Sequence, residues 1–214
     1  MNFPASEKLS SLKKGENGGK VFLDSKHWRK GGVSMEAHLV RYGAPTLVGL
    51  KSGSLFRLPL TDMPLAPVLL EENRRLRPKG LTLTAVRRES RAALVLLYRR
   101  RVLERELRCP EAMSLLTLLG YPKGGVDLCL EELLRRLAPG RGFPHEIGLF
   151  LGYPPEDVAG FLQNSGRGSR YVGCWKVYGD VEAACRRFSQ IRQCTELCWS
   201  QYCQGMRPEQ MARP

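Results

Sequence analysis

The clearest pattern of apolar and polar positions lies in the middle of the chain, over residues 81–99. "LTLTAV" alternates apolar and polar residues, "AALVLLY" is continuously apolar, and the polar "RRESR" separates them. Alternation is typical of a strand with one buried face, whereas a continuous apolar run is typical of a strand buried on both faces. We therefore predict a β-hairpin. Because an isolated hairpin is only marginally stable, we expect another strand beside it, and "YVGCWKVY" at 171–178 is the best candidate.

Most of the remaining chain has helical spacing. Leucines recur three and four residues apart in "VLERELR", "EAMSLLTLLG" and "VDLCLEELLRRLA", which are separated by proline and glycine breaks. "MEAHLVRYGAPTLVGLKSGSLFRL" predicts a short helix, a Gly-Ala-Pro break at 43–45, a second helical turn and a short strand at 55–58. Asp180 is expected to cap a long helix that ends near Cys203.

These elements predict an α+β fold. A small antiparallel sheet, made of the hairpin 81–99 and the strand 171–178, is expected to pack with several short helices and a long C-terminal helix.

The first 34 residues differ from the rest. They contain six of the ten lysines but only one of the 24 arginines, and "SLKKGENGGK" offers almost nothing apolar to bury. We predict a disordered leader over 1–34, a single α+β domain over 35–205 and a flexible tail over 206–214. The codons of residues 30–32 can spell a purine-rich ribosome-binding sequence ahead of the codon for Met35, so we hypothesise that the native chain starts at Met35.

The formal net charge of +13 suggests nucleic acid as a partner, but it falls to +9 when the first 34 residues are left out. The arginines occur in short runs on different elements, several of them beside acids as in "RRVLERELR", and no nucleic-acid motif accompanies them. A solvated surface is the favoured interpretation, and non-specific nucleic-acid binding stays as an alternative. Because no apolar run suits a membrane span and no secretory signal is evident, we expect a cytoplasmic protein without a membrane partner.

Three strings carry a resemblance to a known family. "APTLVGLKSGSLF", "FPHEIGLFLGYPPEDVAGF" and "VGCWKVYGDVEAA", in this order and spacing, resemble an uncharacterised bacterial family of anaerobic Gram-positive species, the domain-of-unknown-function family thirty-seven ninety-three. The resemblance covers about residues 35–205 and leaves out the leader. It implies no activity, and so no catalytic residue can be assigned from it.

One candidate site surrounds His145 in "FPHEIGLFLGYPPEDV". We expect Pro144 to begin and Gly152 to end a buried helix, and Pro155 to begin the next one, so that each acid has a structural role. His145 alone is left without such a role. His145 and Glu146 do not form an HExxH motif, because position 149 is leucine. A hydrogen-bonded structural histidine is the plainer interpretation.

The loop "NSGRGSR" at 164–170 can present backbone amides together with Arg167 and Arg170 to a phosphate or carboxylate, and Lys176 and Tyr178 follow in the next predicted strand. A mobile polar connection is the plainer interpretation of this loop. The leading function hypothesis is a binding or accessory protein that recognises a small anionic ligand or a protein partner. Its candidate residues are His145, Glu146, Arg167, Arg170, Lys176 and Tyr178.

The cysteines carry a second hypothesis. The chain has seven, five of them in the last 41 residues, which favours free thiols in a reducing compartment. Cys194 and Cys198 are neighbours on a helix and could supply two thiolates to a metal ion or iron–sulfur cluster, with a third ligand such as Cys174. Small buried apolar side chains are the favoured role, and a metal or thiol-redox protein is the alternative. No nucleophile with an identifiable base appears, so the sequence favours a protein that is not an enzyme.

Overall fold

The computed structural model describes residues 34–60, 64–140 and 142–213. Its helices are α1 (Met35–Leu47), α2 (Leu65–Leu76), α3 (Arg100–Leu107), α4 (Pro110–Leu118), α5 (Val126–Arg136), α6 (Ile147–Phe150), α7 (Pro155–Gln163), α8 (Val181–Cys203) and α9 (Pro208–Met211). Its strands are β1 (Gly53–Pro59), β2 (Leu81–Arg88), β3 (Ala92–Arg99), β4 (Tyr171–Val172) and β5 (Lys176–Val177). None of the helices in this part of the chain combines the length and apolar character needed to cross a bilayer.

The main sheet has three antiparallel strands in the order β1-β3-β2. The α+β class and the hairpin over 81–99 are therefore confirmed. The third strand, however, is β1, which contains the short strand expected at 55–58. Residues 171–178 instead form a separate two-stranded hairpin of β4 and β5. The chain turns at Gly173, whose amide donates to the Trp175 carbonyl over 3.0 Å, so this segment is too short to cross the main sheet.

The central strand β3 supplies two apolar cores, as its continuous apolar run predicts. Its residues 93, 95 and 97 face α1, α2, α9 and the C-terminal half of α8. Its residues 94, 96 and 98 face the layer formed by α3 to α7. A third cluster lies beneath the β4–β5 hairpin, where Trp175 and Val177 pack on the N-terminal half of α8. Tyr153 packs against both the second layer and this third cluster.

Helix α1 is continuous, so the predicted break at 43–45 is wrong. Gly43 lets the helix approach β3, because a Cβ there would lie 2.7 Å from the Leu97 side chain. Pro45 is in the last turn of the helix, so the backbone hydrogen bond that it cannot donate is one of the last of the helix. Ser34 belongs to the predicted leader, and its side chain caps α1 by accepting from the amide of Ala37 over 3.1 Å. The rest of that predicted leader, residues 1–33, lies outside the described residues.

Other helix ends follow the prediction in part. Asp180 caps α8, with a 3.0 Å hydrogen bond from the Ala183 amide, and α8 ends at Cys203. Helix α7 begins at Pro155 as expected, whereas α6 is only one turn long and begins after Glu146. The expected flexible tail forms α9 instead, because Met211 and Ala212 supply apolar side chains that are buried beside α1 and α8.

Candidate functional site

The structure brings two of the predicted binding residues to one aromatic ring, that of Phe161. The exposed His145 ring lies 4.6 Å from the Phe161 ring, centroid to centroid. The Lys176 ammonium lies 5.8 Å from the same centroid, and it donates to the Gly166 carbonyl over 2.7 Å. The hydrogen bond to Gly166 already uses one of the three N–H donors of the Lys176 ammonium.

The other predicted residues of that set have separate surroundings. Arg167 is exposed, and Arg170 is exposed and donates to the Gly179 carbonyl over 3.0 Å. The Tyr178 hydroxyl is buried without a partner among the described residues. Glu146 is buried on another side, where it accepts from the Tyr121 hydroxyl over 3.2 Å and from Arg136 over 3.0 Å. Glu146 is therefore part of a buried ion-pair network and not of the His145 surface.

The cysteines fall into two places. Cys194 and Cys198 share a side-chain hydrogen bond at the core between α1 and α8, and this bond, together with burial, raises the pKa of the Cys194 thiol. Cys174 lies in the cluster beneath the β4–β5 hairpin, and burial raises the pKa of its thiol. Within the described ranges, no group of three or more His, Cys, Asp and Glu side chains is arranged as metal ligands would be. The two-cysteine pair therefore lacks a third ligand from this part of the chain.

A cavity of about 430 Å³ lies between α3, the segment from Gly152 to Asp157 and the start of α8. Its lining includes Leu149, Tyr153 and Trp175 as apolar walls. Its charged lining residues are Arg187 and four acids, Glu106, Glu156, Asp157 and Asp180, of which Asp157 and Asp180 already accept backbone hydrogen bonds. Two of the three strings that carry the family resemblance line this cavity, and the third supplies Lys51, which lies against its Tyr153 wall. The three strings that carry the family resemblance thus come together around this cavity.

Lys51 is held by the backbone on both sides of it. Its amide donates to the Pro45 carbonyl over 3.0 Å, and the next residue, Ser52, donates its hydroxyl to the Phe150 carbonyl over 3.3 Å. Gly53 lies so close to α6 that a Cβ would be 2.4 Å from the Phe150 oxygen. The start of β1 is therefore fixed against the end of α6, and the Lys51 backbone has little freedom.

The Lys51 amine lies 5.2 Å from the centroid of the Tyr153 ring. Within the part of the chain that the structure describes, it makes no hydrogen bond or ion pair. Burial, with a smaller contribution from the charge of Arg187, lowers the pKa of Lys51 to about 8, whereas Cys174 and Glu106 act in the opposite direction. A lysine at this position carries a much larger neutral fraction at physiological pH than an exposed lysine does.

Glu106 lines the cavity from α3. Its Oε2 atom is buried and has no hydrogen-bond partner among the described residues. This oxygen approaches Gly152, where a Cβ would lie 3.2 Å from it, and Gly152 has a positive φ of 73°. Glycine is thus needed at this turn both for its backbone conformation and for the space beside the carboxylate.

Another part of the cavity wall is aromatic, and its indole is hydrogen-bonded. The Tyr153 and Trp175 rings stack with centroids 4.8 Å apart, and burial raises the pKa of Tyr153 to about 12. The Trp175 indole donates to Asp157 over 2.7 Å, and the amides of Tyr178 and Gly179 donate to the same carboxylate over 2.6 and 2.8 Å. Asp157 therefore ties the β4–β5 hairpin to α7 and fixes the indole.

Sequence reasoning missed Lys51 and Glu106, although each left a signal. Glu106 is three residues after the buried Leu103 and so shares the apolar face of α3, whereas Glu104 pairs with Arg100 and Arg108 on the exposed face. The arginines of "RRVLERELR" suggested that both Glu104 and Glu106 form ion pairs at the surface. Lys51 is a single lysine within an apolar and small-residue stretch, a pattern also found at ordinary loop positions.

The profile of a family described as "Protein of unknown function (DUF3793)" matches residues 39–212. This is the family that the three sequence strings indicate, so the resemblance is confirmed. No curated protein and no solved structure gives a significant match to the chain.

Proposed function

The chain belongs to the DUF3793 family, and we propose that it is a binding protein for a small organic anion, which it takes up in the cavity beside Tyr153. One observation carries this proposal: the buried Oε2 of Glu106 has no partner among the described residues that surround this cavity. The amine of Lys51, which forms no hydrogen bond or ion pair with the described residues, lies 5.2 Å from the centroid of the Tyr153 ring in the cavity wall. Buried polar groups are normally paired, and an unpaired one costs roughly 1–3 kcal/mol. A ligand that pairs with both groups would recover that cost.

The cavity suits a ligand with a flat apolar part. Its volume of about 430 Å³ lies within the range of small-molecule sites, and its apolar walls include the stacked Tyr153 and Trp175 rings. Lys51 and Arg187 would attract a carboxylate or phosphate, and Glu106 would accept from a hydroxyl or N–H group of the ligand. Because both signs of charge are present, the ligand would carry a donor as well as its anionic group.

The cavity is favoured over the surface around Phe161 for the same reason. At that surface Lys176 is bonded to Gly166 and Arg170 to Gly179, and the cavity's Arg187 is likewise bonded to Leu50. What distinguishes the cavity is the buried Glu106 oxygen in its lining, which has no partner among the described residues. A redox function at Cys194 and Cys198 and a nucleic-acid function lack comparable support. The arginines of the described part lie on many elements, and many of them pair with acids, as Arg100 does with Asp127.

Thermal unfolding with a panel of small aromatic and aliphatic carboxylates, each beside its primary amide, tests the proposal. We expect some carboxylates to raise the Tm more than their amides do, and to quench the fluorescence of Trp175. Lys51→Met and Glu106→Gln should remove this stabilisation, while Lys123→Met, at an exposed lysine, should retain it. The proposal fails if no carboxylate stabilises the protein, or if the stabilisation persists in both cavity variants.

A further inference from the structure

We propose that the ligand of the cavity is a zwitterion, an α-amino acid with an aromatic or large apolar side chain. Its ammonium would pair with Glu106 and its carboxylate with Arg187. Its side chain would lie against the Tyr153 and Trp175 rings. This inference rests on the proposed function, because it concerns the same cavity and keeps a carboxylate in the ligand. It goes further, since it identifies the ligand's donor as a positive charge and so names the class of compound.

The balance of charge around the cavity is the first argument. Among the described residues, its lining contains four acids and one basic residue, Arg187. Even when Lys51, which lies against the Tyr153 ring, is counted as well, four carboxylates stand against two cations. A simple anion would add to this excess of negative charge, and like charges brought together weaken binding. A ligand that brings its own positive charge avoids this cost.

The four acids are not equivalent, and Glu106 is the one that a ligand can pair with most profitably. Asp157 accepts three N–H hydrogen bonds, and Asp180 caps α8. Glu156 is exposed, so solvent screens its charge. The Oε2 atom of Glu106, in contrast, is buried and has no partner among the described residues. The positive group of the ligand is therefore assigned to Glu106.

The partner of Glu106 should be a cation and not a neutral hydroxyl or amide. A neutral donor would satisfy the hydrogen bond of Oε2 but leave the negative charge without a counter-charge. An ammonium supplies both, because it has three N–H donors and a full positive charge. Gly152, which also lines the cavity, leaves space beside the carboxylate, since a Cβ there would lie 3.2 Å from Oε2.

Arg187 is the matching group for the ligand carboxylate. It lines the cavity from α8, and it is held in place because it donates to the Leu50 carbonyl. A guanidinium has five N–H donors, so this one bond leaves others for a carboxylate. The planar arrangement of these donors also suits the two oxygens of a carboxylate.

The size and the walls of the cavity select the rest of the ligand. A volume of about 430 Å³ is near the lower end of the range of small-molecule sites, which is roughly 300–1,000 Å³. The stacked rings of Tyr153 and Trp175, together with Leu149, offer an apolar surface to a flat or branched side chain. An α-amino acid carries an ammonium, a carboxylate and a side chain on one carbon atom. It therefore provides all three groups in a compact ligand.

The test compares four L-amino acids, phenylalanine, tyrosine, tryptophan and leucine, each with its desamino analogue and with its primary amide. The desamino analogue of phenylalanine, for example, is 3-phenylpropionate, which keeps the ring and the carboxylate. By isothermal titration calorimetry of the full chain at neutral pH, we expect at least one amino acid to bind about tenfold more tightly than both of its derivatives. If every amino acid binds no more tightly than its desamino analogue or its amide, the inference is overturned.

Two variants test the assignment of the ammonium to Glu106. Glu106→Gln removes the charge and keeps the shape, so it should weaken the amino acid more than the desamino analogue. Glu156→Gln removes the same charge at an exposed position of the same lining and should retain the preference. Equal weakening of both ligands in Glu106→Gln, or equal loss of the preference in the two variants, contradicts the assignment.

The same measurements separate this inference from the proposed function. If desamino carboxylates stabilise the wild-type protein through Glu106 while the amino acids bind no better, the proposed binding function stands and the zwitterion does not. If neither the carboxylates nor the amino acids bind, both fail.

Discussion

The two sides of the cavity use carboxylates in opposite ways. On the side of α7 and the β4–β5 hairpin, Asp157 accepts three hydrogen bonds, from the Trp175 indole and from the amides of Tyr178 and Gly179. On the side of α3, the buried Oε2 of Glu106 accepts none from the described residues, and the amine of Lys51 has no acceptor there either. Glu106 and Asp157 nevertheless line the same cavity.

The difference separates structural from functional polar groups. Asp157 accepts hydrogen bonds from three N–H donors and so stabilises the fold. Few of its acceptor positions are left for a ligand. A buried polar group without a hydrogen-bond partner lowers the stability of the fold, so its presence in the sequence needs a reason other than stability. We infer that the reason at Glu106 and Lys51 is a ligand. Substitutions on the two sides should therefore have opposite effects on the free energy of unfolding.

The largest effect is expected on the paired side. Asp157→Asn replaces one accepting oxygen with an NH₂ group that faces N–H donors, so at least one charge-assisted hydrogen bond is lost and two donors oppose each other. We expect a loss of about 2–4 kcal/mol in the free energy of unfolding, measured by urea denaturation. Glu156→Gln is the matched control, because Glu156 is the exposed neighbour on the same helix. An equal loss in both variants would contradict the structural role of Asp157.

Lys51→Met should change the stability in the opposite direction. Burial lowers the pKa of Lys51 from 10.5 to about 8, so between these pH values the unfolded chain holds a proton that the folded protein has released. Stability therefore rises with pH across that window, and below pH 8 the lysine costs the folded state its full penalty. Methionine removes the penalty, and we expect a gain of about 1–3 kcal/mol at neutral pH.

The pH dependence distinguishes this effect from better packing. The advantage of Lys51→Met over wild type should shrink as the pH rises from about 8 towards 10.5, as measured by urea denaturation at neutral and at alkaline pH. Lys123→Met, at an exposed position, should show no such trend. A gain that is constant with pH would mean that the Lys51 amine is not the source of the cost.

The same comparison explains how much the sequence could predict. Asp180 as the cap of α8, Pro155 at the start of α7 and the hairpin over 81–99 were predictable, because each depends on local patterns within a few residues. The pairing of β1 with β3 was not, since two weak strand candidates competed for one sheet edge and only tertiary packing decides between them.

The site was less predictable than the fold for a related reason. Lys51, Glu106 and Tyr153 are about fifty residues apart along the chain, and their meaning lies in the partners that they lack, which no local pattern reveals. The three family strings contain Lys51, Tyr153 and Trp175, but none of them contains Glu106. His145 drew attention because it had no assigned structural role, yet its ring is exposed beside Phe161.

The smallest effect on stability is expected for Glu106→Gln, which makes the same chemical change as Asp157→Asn at the same cavity. No hydrogen bond is lost at the buried Oε2, and a neutral amide is cheaper to bury than a carboxylate, so the free energy of unfolding should change by less than about 1 kcal/mol. Binding should respond strongly all the same, with carboxylate stabilisation lost, because the ligand's donor would meet a weaker acceptor. Urea denaturation and thermal shift on the same two variants check this contrast. A loss of stability in Glu106→Gln as large as that in Asp157→Asn would mean that Glu106 has a structural partner, and the distinction between the two sides of the cavity would fail.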